Sequence, residues 1–315
     1  MKIKTKIIFV VSSLLLVSCL LFLFVWQGIY LPKNPLGKEK IFAIGKGEGV
    51  REISFHLEKE GLIKSRLFFR IYVLSKDVSR NLRAGNYSVS PSMTIPEIAK
   101  KIVLGDVAKI IMTIPEGFTV KQIEERLNLK LSGENLEGFL FPDTYYFPID
   151  VTGEEVVRIM RNNFEKKLNT KIPELGLTPK EAIMQQGKTI FEIVTMASML
   201  EKEVKTFEDK KIVSSILWKR REHGWPLQVD ATLTYITGKK SSELTKEDLE
   251  SPSPYNTYKY SWIPGPICNP GLDSILAAIY PEKSDFWYYL STPDGKTIFS
   301  RTLQEHNLAK AKYLK

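Results

Sequence analysis

From Ile7 to Trp26 the chain carries no charge. About 20 such residues are what an α-helix needs to cross a bilayer, whereas the apolar core of a signal peptide usually measures about 7–15. Lys2, Lys4 and Lys6 precede the run. Leu16-Val17-Ser18-Cys19 resembles a bacterial lipobox, but Cys19 is followed by LLFLFVW where a lipoprotein turns polar. An uncleaved anchor is the favoured reading. Lys33, Lys38 and Lys40 follow the span, yet a large downstream domain translocates largely regardless of such charges, so an N-in, C-out orientation still fits. The expected order is a cytoplasmic tail at 1–6, a transmembrane helix at 7–26 and a Pro/Gly-containing linker at 27–38. The rest then folds outside the cytoplasm.

That remainder has room for two domains in a chain of 315 residues. A net charge of +9 suits an anionic polymer, anionic lipid or nucleic acid. Basic residues cluster only in short pairs such as Lys219-Arg220-Arg221, and no zinc-finger, RNP-like or P-loop pattern occurs, so nucleic acid is not expected as a partner. Cys19 in the span and Cys268 beyond it cannot plausibly pair, which removes a disulfide framework. His56, His223 and His306 lack metal-ligand spacing, and no GxSxG supports a serine nucleophile. No metal or cofactor is expected.

An internal repeat follows the linker. Ile44-x-x-Gly47-x-x-Val50-Arg51-x-Ile53-x-x-x-Leu57 recurs as Ile114-x-x-Gly117-x-x-Val120-Lys121-x-Ile123-x-x-x-Leu127. Each copy reads as strand, Gly turn and amphipathic helix, with strands near Ile41–Ile44 and Lys109–Ile114. Between the copies the pattern predicts a helix at Ser65–Leu74, a strand near Ala84–Val89 and a helix opened by Thr94-Ile95-Pro96. The copies suggest a small α+β module, or two related halves of one. It could hold a glycan polymer, or serve as a spacer packed on the next domain. Leu136–Pro148, rich in aromatics, reads as core plus loop, with Asp143 as a turn or cap residue. Helices are expected at Glu154–Lys167 and from Pro179 to Gln186.

Thr189–Val204 reads as a helix of about four turns without Gly or Pro. Ile190, Ile193, Val194, Ala197, Leu200 and Val204 share one face, and Glu201 falls inside that stripe. Glu203 lies about 200° round the helix from Glu201 and reads as a solvated surface residue. A half-buried Glu201 would hold a proton near neutral pH, as a general acid must. The competing reading is a structural Glu201 paired with Lys or Arg. Downstream, three loops rich in Pro, Gly, amides and aromatics suit a polar-substrate cleft: Pro226–Tyr235, Ser253–Tyr258 and Ile263–Gly271.

MASMLEKE around Glu201, LQVDATLTY at Leu227–Tyr235, SPYNTY at Ser253–Tyr258 and IPGPICNPG at Ile263–Gly271 resemble the YceG-like family of membrane-bound endolytic murein transglycosylases. LEGFLFPDTYYF at Leu136–Phe147, IPEGFT at Ile114–Thr119 and the terminal Glu305-His306-Asn307 match as well, in the family's order. Val229 and Ile263 depart from the usual residues without touching the motif around Glu201. The resemblance implies an α+β chain with one transmembrane helix, a LysM-like α/β module at 39–108 and a mixed α+β catalytic domain at 109–315.

It further implies cleavage of the MurNAc–GlcNAc bond inside nascent peptidoglycan glycan strands, leaving 1,6-anhydro-MurNAc ends and terminating glycan elongation. The family's catalytic glutamate falls on Glu201. Gln228, Tyr255, Asn256 and Asn269 are candidates to position the sugar, and Asp230 is a further substrate-binding candidate and possible second carboxylate. Expected partners are glycan strands, the inner membrane and peptidoglycan synthases. Two alternatives stay open: a muramidase-type hydrolase using Asp230 as base or nucleophile, and a non-catalytic wall-binding scaffold.

Overall fold

The structure is a computed structural model that describes residues 2–172 and 176–314, with backbone alone at 2–6. Met1 of the expected tail, and residues 173–175 and Lys315 of the expected catalytic domain, lie outside the described residues. The fold is mixed α+β. The elements in chain order are α1 (Lys2–Tyr30), β1 (Lys40–Ile44), α2 (Val50–Lys59), α3 (Arg66–Ser75), β2 (Gly85–Val89), α4 (Ile95–Leu104), β3 (Lys109–Thr113) and α5 (Val120–Leu127). There follow β4 (Thr144–Pro148), α6 (Gly153–Asn169), α7 (Pro179–Gln185), α8 (Ile190–Glu203), α9 (Phe207–Glu222), α10 (Asp230–Thr237), α11 (Lys246–Leu249), α12 (Leu272–Ile279), β5 (Tyr288–Ser291), β6 (Thr297–Ser300) and α13 (Leu303–Tyr313).

The chain divides into two compact units. The first holds residues up to Ile110 together with Tyr146–Asp150, and the second holds Ile111–Tyr145 and Val151 onward. β3 pairs with β4, and the chain passes from one unit to the other within these strands.

In the first unit β1 and β2 pair antiparallel, with Phe42 opposite Tyr87. Alternation buries Phe42, Ile44, Tyr87 and Val89 against Ile53 and Leu57 of α2, Phe69 of α3 and Ile98 and Ile102 of α4. Thr94 caps α4 in a capping box with Glu97. One helix among the described residues is long and apolar enough to cross a membrane: Ile7–Tyr30, mean hydropathy 2.9. It runs past Trp26 to Tyr30 and so takes the first residues of the expected linker. Ile29 is drawn into the core of this unit, and no proline intervenes before Pro32. Gly28 permits the approach, because a Cβ there would stand 2.3 Å from the Phe68 ring.

The second unit is built around α8. Ile193, Val194, Thr195, Met196, Ala197, Ser198, Met199 and Leu200 are all buried, so this helix has no solvent face along its middle. α9, α10, α12 and α7 pack on it. β5 and β6 form an antiparallel hairpin against α13. The two repeat copies keep their local form, since Gly47 and Gly117 take φ of 89° and 77° between a strand and a helix. They do not form halves of one module, however. The first copy lies in the first unit, and the second copy from Ile114 lies in the second. Tertiary packing assigns the copies, and local periodicity cannot.

Candidate active site

Thr189 caps α8 in a capping box with Glu192, and the last turn of this buried helix delivers Glu201, Lys202 and Glu203. Glu201 meets donors on every side. Its Oε2 accepts from the Gly271 amide at 3.0 Å and the Ser274 hydroxyl at 2.6 Å, and Lys210 Nζ stands 3.4 Å away. The pair is enclosed, with side chains 10% and 5% exposed. Glu116 crowds the same place, for a Cβ on Gly271 would lie 2.0 Å from its Oε1. Burial and the nearby Glu201 raise the Glu116 carboxyl above its usual range. Of the two readings of Glu201, the structure displays the paired one.

Glu203 corrects the expectation of a solvated residue. It faces an open cleft of about 630 Å³ lined by Lys202, Arg220, Gln228, Asp230, Tyr258, Tyr289 and Ser291, with His306 and Lys310 of α13. The Tyr289 hydroxyl donates to Glu203 Oε2 at 2.9 Å, and the Ala231 amide in the first turn of α10 donates as well. Desolvation outweighs both bonds, and Asp230 adds like-charge repulsion, so the Glu203 carboxyl is pushed up to about 7. Burial and the adjacent Glu203 push the Tyr289 phenol well above its ordinary value, which keeps it a donor. Asp230 accepts a hydrogen bond from the Tyr258 hydroxyl. The buried Arg220 donates to Trp287 O, Leu227 O and Gln228 Oε1. Gln228 holds φ of 57°, a left-handed conformation costly for a residue with a Cβ, and its amide is tied to Thr257 O at 2.9 Å.

A further carboxyl, Glu137, lies in the same unit. Glu137 accepts from the Val120 amide at the start of α5 at 3.2 Å, from Asn269 Nδ2 at 3.2 Å and from Tyr235. Desolvation holds it at about 7. Tyr235 packs on Tyr255 with ring centroids 5.4 Å apart.

The structure therefore separates the residues singled out in the sequence. Gln228 and Asp230 share the cleft with Glu203. Tyr255 stands with Tyr235 beside Glu137. Asn256 is fully buried, donating to Leu249 O and Ser251 O and accepting from the Tyr258 amide. Asn269 is also fully buried; its Oδ1 accepts from Leu140 N at 2.8 Å and its Nδ2 donates to Phe118 O at 2.9 Å. Both amides are spent on holding loops. Sequence reasoning passed over Glu203, Glu137, Glu116, Lys210 and Tyr289. Glu116 and Glu137 lie within quoted motifs, and a helical wheel reads Glu203 as solvated because it assumes a solvent face that the middle of α8 lacks.

Comparison with known proteins agrees with the motif pattern. The chain matches the YceG-like family over residues 42–312. The endolytic murein transglycosylase of Bacillus subtilis (strain 168) is 31% identical over 310 residues, covering 86% of this chain and 84% of that protein. The endolytic murein transglycosylase of Streptococcus pneumoniae serotype 2 (strain D39 / NCTC 7466) is 28% identical over 319 residues, covering 84% of this chain but 56% of the relative. Among solved structures, the 2.6 Å crystal structure of a YceG-like protein from Listeria monocytogenes matches with a TM-score of 0.56 and 33% identity, covering 87% of this chain and 100% of that one. On sequence and fold together, the chain belongs to the YceG-like family.

Proposed function

We propose that this chain is a membrane-anchored lytic transglycosylase of murein in which Glu203, rather than Glu201, is the general acid and then the general base. The supporting observation is the Glu203 carboxyl, pushed up to about 7 at the wall of a polar cleft. A group of that value holds a proton on a large fraction of molecules at neutral pH, and can also take one back. Glu201 is spoken for by Lys210, Ser274 and the Gly271 amide.

In the reaction Glu203 gives its proton to the bridging oxygen between MurNAc C1 and GlcNAc, and the C1–O bond breaks. The muramic C6 hydroxyl bonds to C1, and its proton returns to Glu203. Water is not consumed. Tyr289 and the Ala231 amide hold the carboxyl in place, and Asp230, anchored by Tyr258, sits beside the positive charge that develops at C1. Gln228 borders the same cleft, held by Arg220, and is proposed to bind sugar hydroxyls.

We further propose that residues 39–108 form a LysM-like module that holds glycan and 109–315 the catalytic domain, and that both lie outside the cytoplasm beyond a spanning α1. The enzyme would act endolytically on nascent strands beside peptidoglycan synthases and so end their elongation. Asp230 next to Glu203 also favours a second reading, a muramidase-type hydrolase. Mass analysis of glycan ends after digestion in ¹⁸O-water separates the two. Unlabelled 1,6-anhydro-muramic ends support the transglycosylase, and labelled reducing ends would replace it with the hydrolase.

A further inference from the structure

α3, RLFFRIYVLS, is apolar on two opposite sides. Phe68, Phe69 and Val73 face the core of the first unit. Leu67, Ile71 and Leu74 lie within about 60° of one another on the other side, at 100° per residue. They are 58%, 36% and 64% exposed. A core-packed helix needs one apolar stripe, and the second calls for a separate partner.

The neighbour of α3 identifies that partner. The C-terminal turns of α1 pack directly on α3. Phe24 meets Phe68 edge-on at 5.5 Å, Tyr30 meets Tyr72 at 6.5 Å, and Lys64 Nζ reaches Gln27 O at 3.3 Å. Phe24 belongs to the charge-free run itself. Whatever level in the bilayer Phe24 occupies, Phe68 occupies too. The contacts advance together, 24 with 68 and 30 with 72, so α3 rises beside the outer end of α1. The centre of the exposed stripe is about 110° round the helix from the Phe68 and Tyr72 side, and so points away from α1 into its surroundings. Trp26 and Tyr30, 44% and 41% exposed, mark the same level with the side chains favoured at membrane interfaces. Exposed cations Lys76 and Arg80 follow the stripe at its outer end, whereas Lys64 and Arg66 before it are held by Gln27 O and Glu58.

We propose that Leu67, Ile71 and Leu74 of α3 are seated in the lipid surface beside α1, with Lys76 and Arg80 on anionic headgroups, so that the first unit is held against the bilayer by two elements. Apolar insertion with a basic rim is the chemistry of an interfacial helix. The inference rests on α1 spanning the membrane, and its test is arranged to separate the two.

The full chain, with Cys19 and Cys268 replaced by serine, is reconstituted one copy per nanodisc in phosphatidylcholine with phosphatidylglycerol. An environment-sensitive fluorophore is attached to a single cysteine at Val17, Leu67, Leu74 or Lys46. Val17 reports the span and Lys46 an exposed site on the same unit. Leu67 and Leu74 labels are expected to be blue-shifted and quenched by lipids brominated near the headgroup, several-fold more than Lys46. Aqueous iodide should quench Lys46 in preference. If Val17 is quenched by lipid brominated deep in the acyl chain while Leu67 and Leu74 behave like Lys46, the proposal is overturned and the span stands. If Val17 is not quenched either, the span itself fails, and the proposal with it. Single-copy discs remove a second chain as an alternative cover.

Discussion

Replacing Glu203 by Gln tests the assigned chemistry and the electrostatics at once. Gln keeps the size and an oxygen for the Tyr289 hydroxyl and the Ala231 amide, but has no carboxylic proton to give. Loss of a general acid typically costs about 10²–10⁴-fold in rate. Stability should move the other way. Glu203 titrates at about 7 in the folded chain against an ordinary value of 4.5. At about 1.4 kcal/mol per pH unit, that difference comes to about 3 kcal/mol. Between these values the folded protein keeps a proton that the unfolded chain has released, so this group's contribution falls as pH rises from 4.5 through 7. The Gln variant never meets that loss. Its advantage over the wild type should be near zero at pH 4 and approach about 3 kcal/mol at pH 8. Urea unfolding of the full chain in detergent, followed by tryptophan fluorescence, reads this directly, because Trp218, Trp225, Trp262 and Trp287 all lie in the second unit. Equal stability differences at both pH values would refute the burial argument. Undiminished cleavage by the folded variant would refute the catalytic one.

Other outcomes follow from the same geometry. Glu201→Gln leaves the buried Lys210 without its counter-charge and should cost about 3–5 kcal/mol in urea unfolding, in contrast to Glu203→Gln. Asn269→Ala removes the acceptor of the buried Leu140 amide and should cost about 1–3 kcal/mol, while KM of the folded fraction stays unchanged in a glycan-cleavage assay. kcat/KM for cleavage should fall about tenfold per unit above pH 7, as the Glu203 proton is lost, and an increase there would exclude Glu203 as the acid.

Much of the local structure was legible in the residues. Thr-x-x-Glu at Thr94 and Thr189 marks the starts of α4 and α8, and Pro179 marks that of α7. The motifs that border the site were legible as well. What could not be read was which side of each motif faces the chemistry. Glu201 and Glu203 stand on opposite sides of a helix whose middle is enclosed, and their environments come from partners far along the chain: Lys210 and Ser274 for one, Asp230 and Tyr289 for the other. β4, β5 and β6 were missed for a similar reason. They are short ribbons of four or five residues whose pairing, rather than their own pattern, defines them. Asn256 and Asn269 looked like sugar ligands because an amide in a loop serves either purpose, and only its neighbours decide.

The capped length of α8 carries a consequence for how such chains can vary. Thr189 fixes where the helix begins, and Val204, in an extended conformation, fixes where it stops. The rotational phase of the last turn is therefore set by the number of residues between them. One residue added within this interval would turn everything beyond it by about 100°, aiming Glu203 away from Tyr289 and moving Glu201 off Lys210 together. Insertions and deletions can be absorbed before Thr189 or after Val204, but the segment between them behaves as a gauge of fixed length, with the two glutamates as its settings.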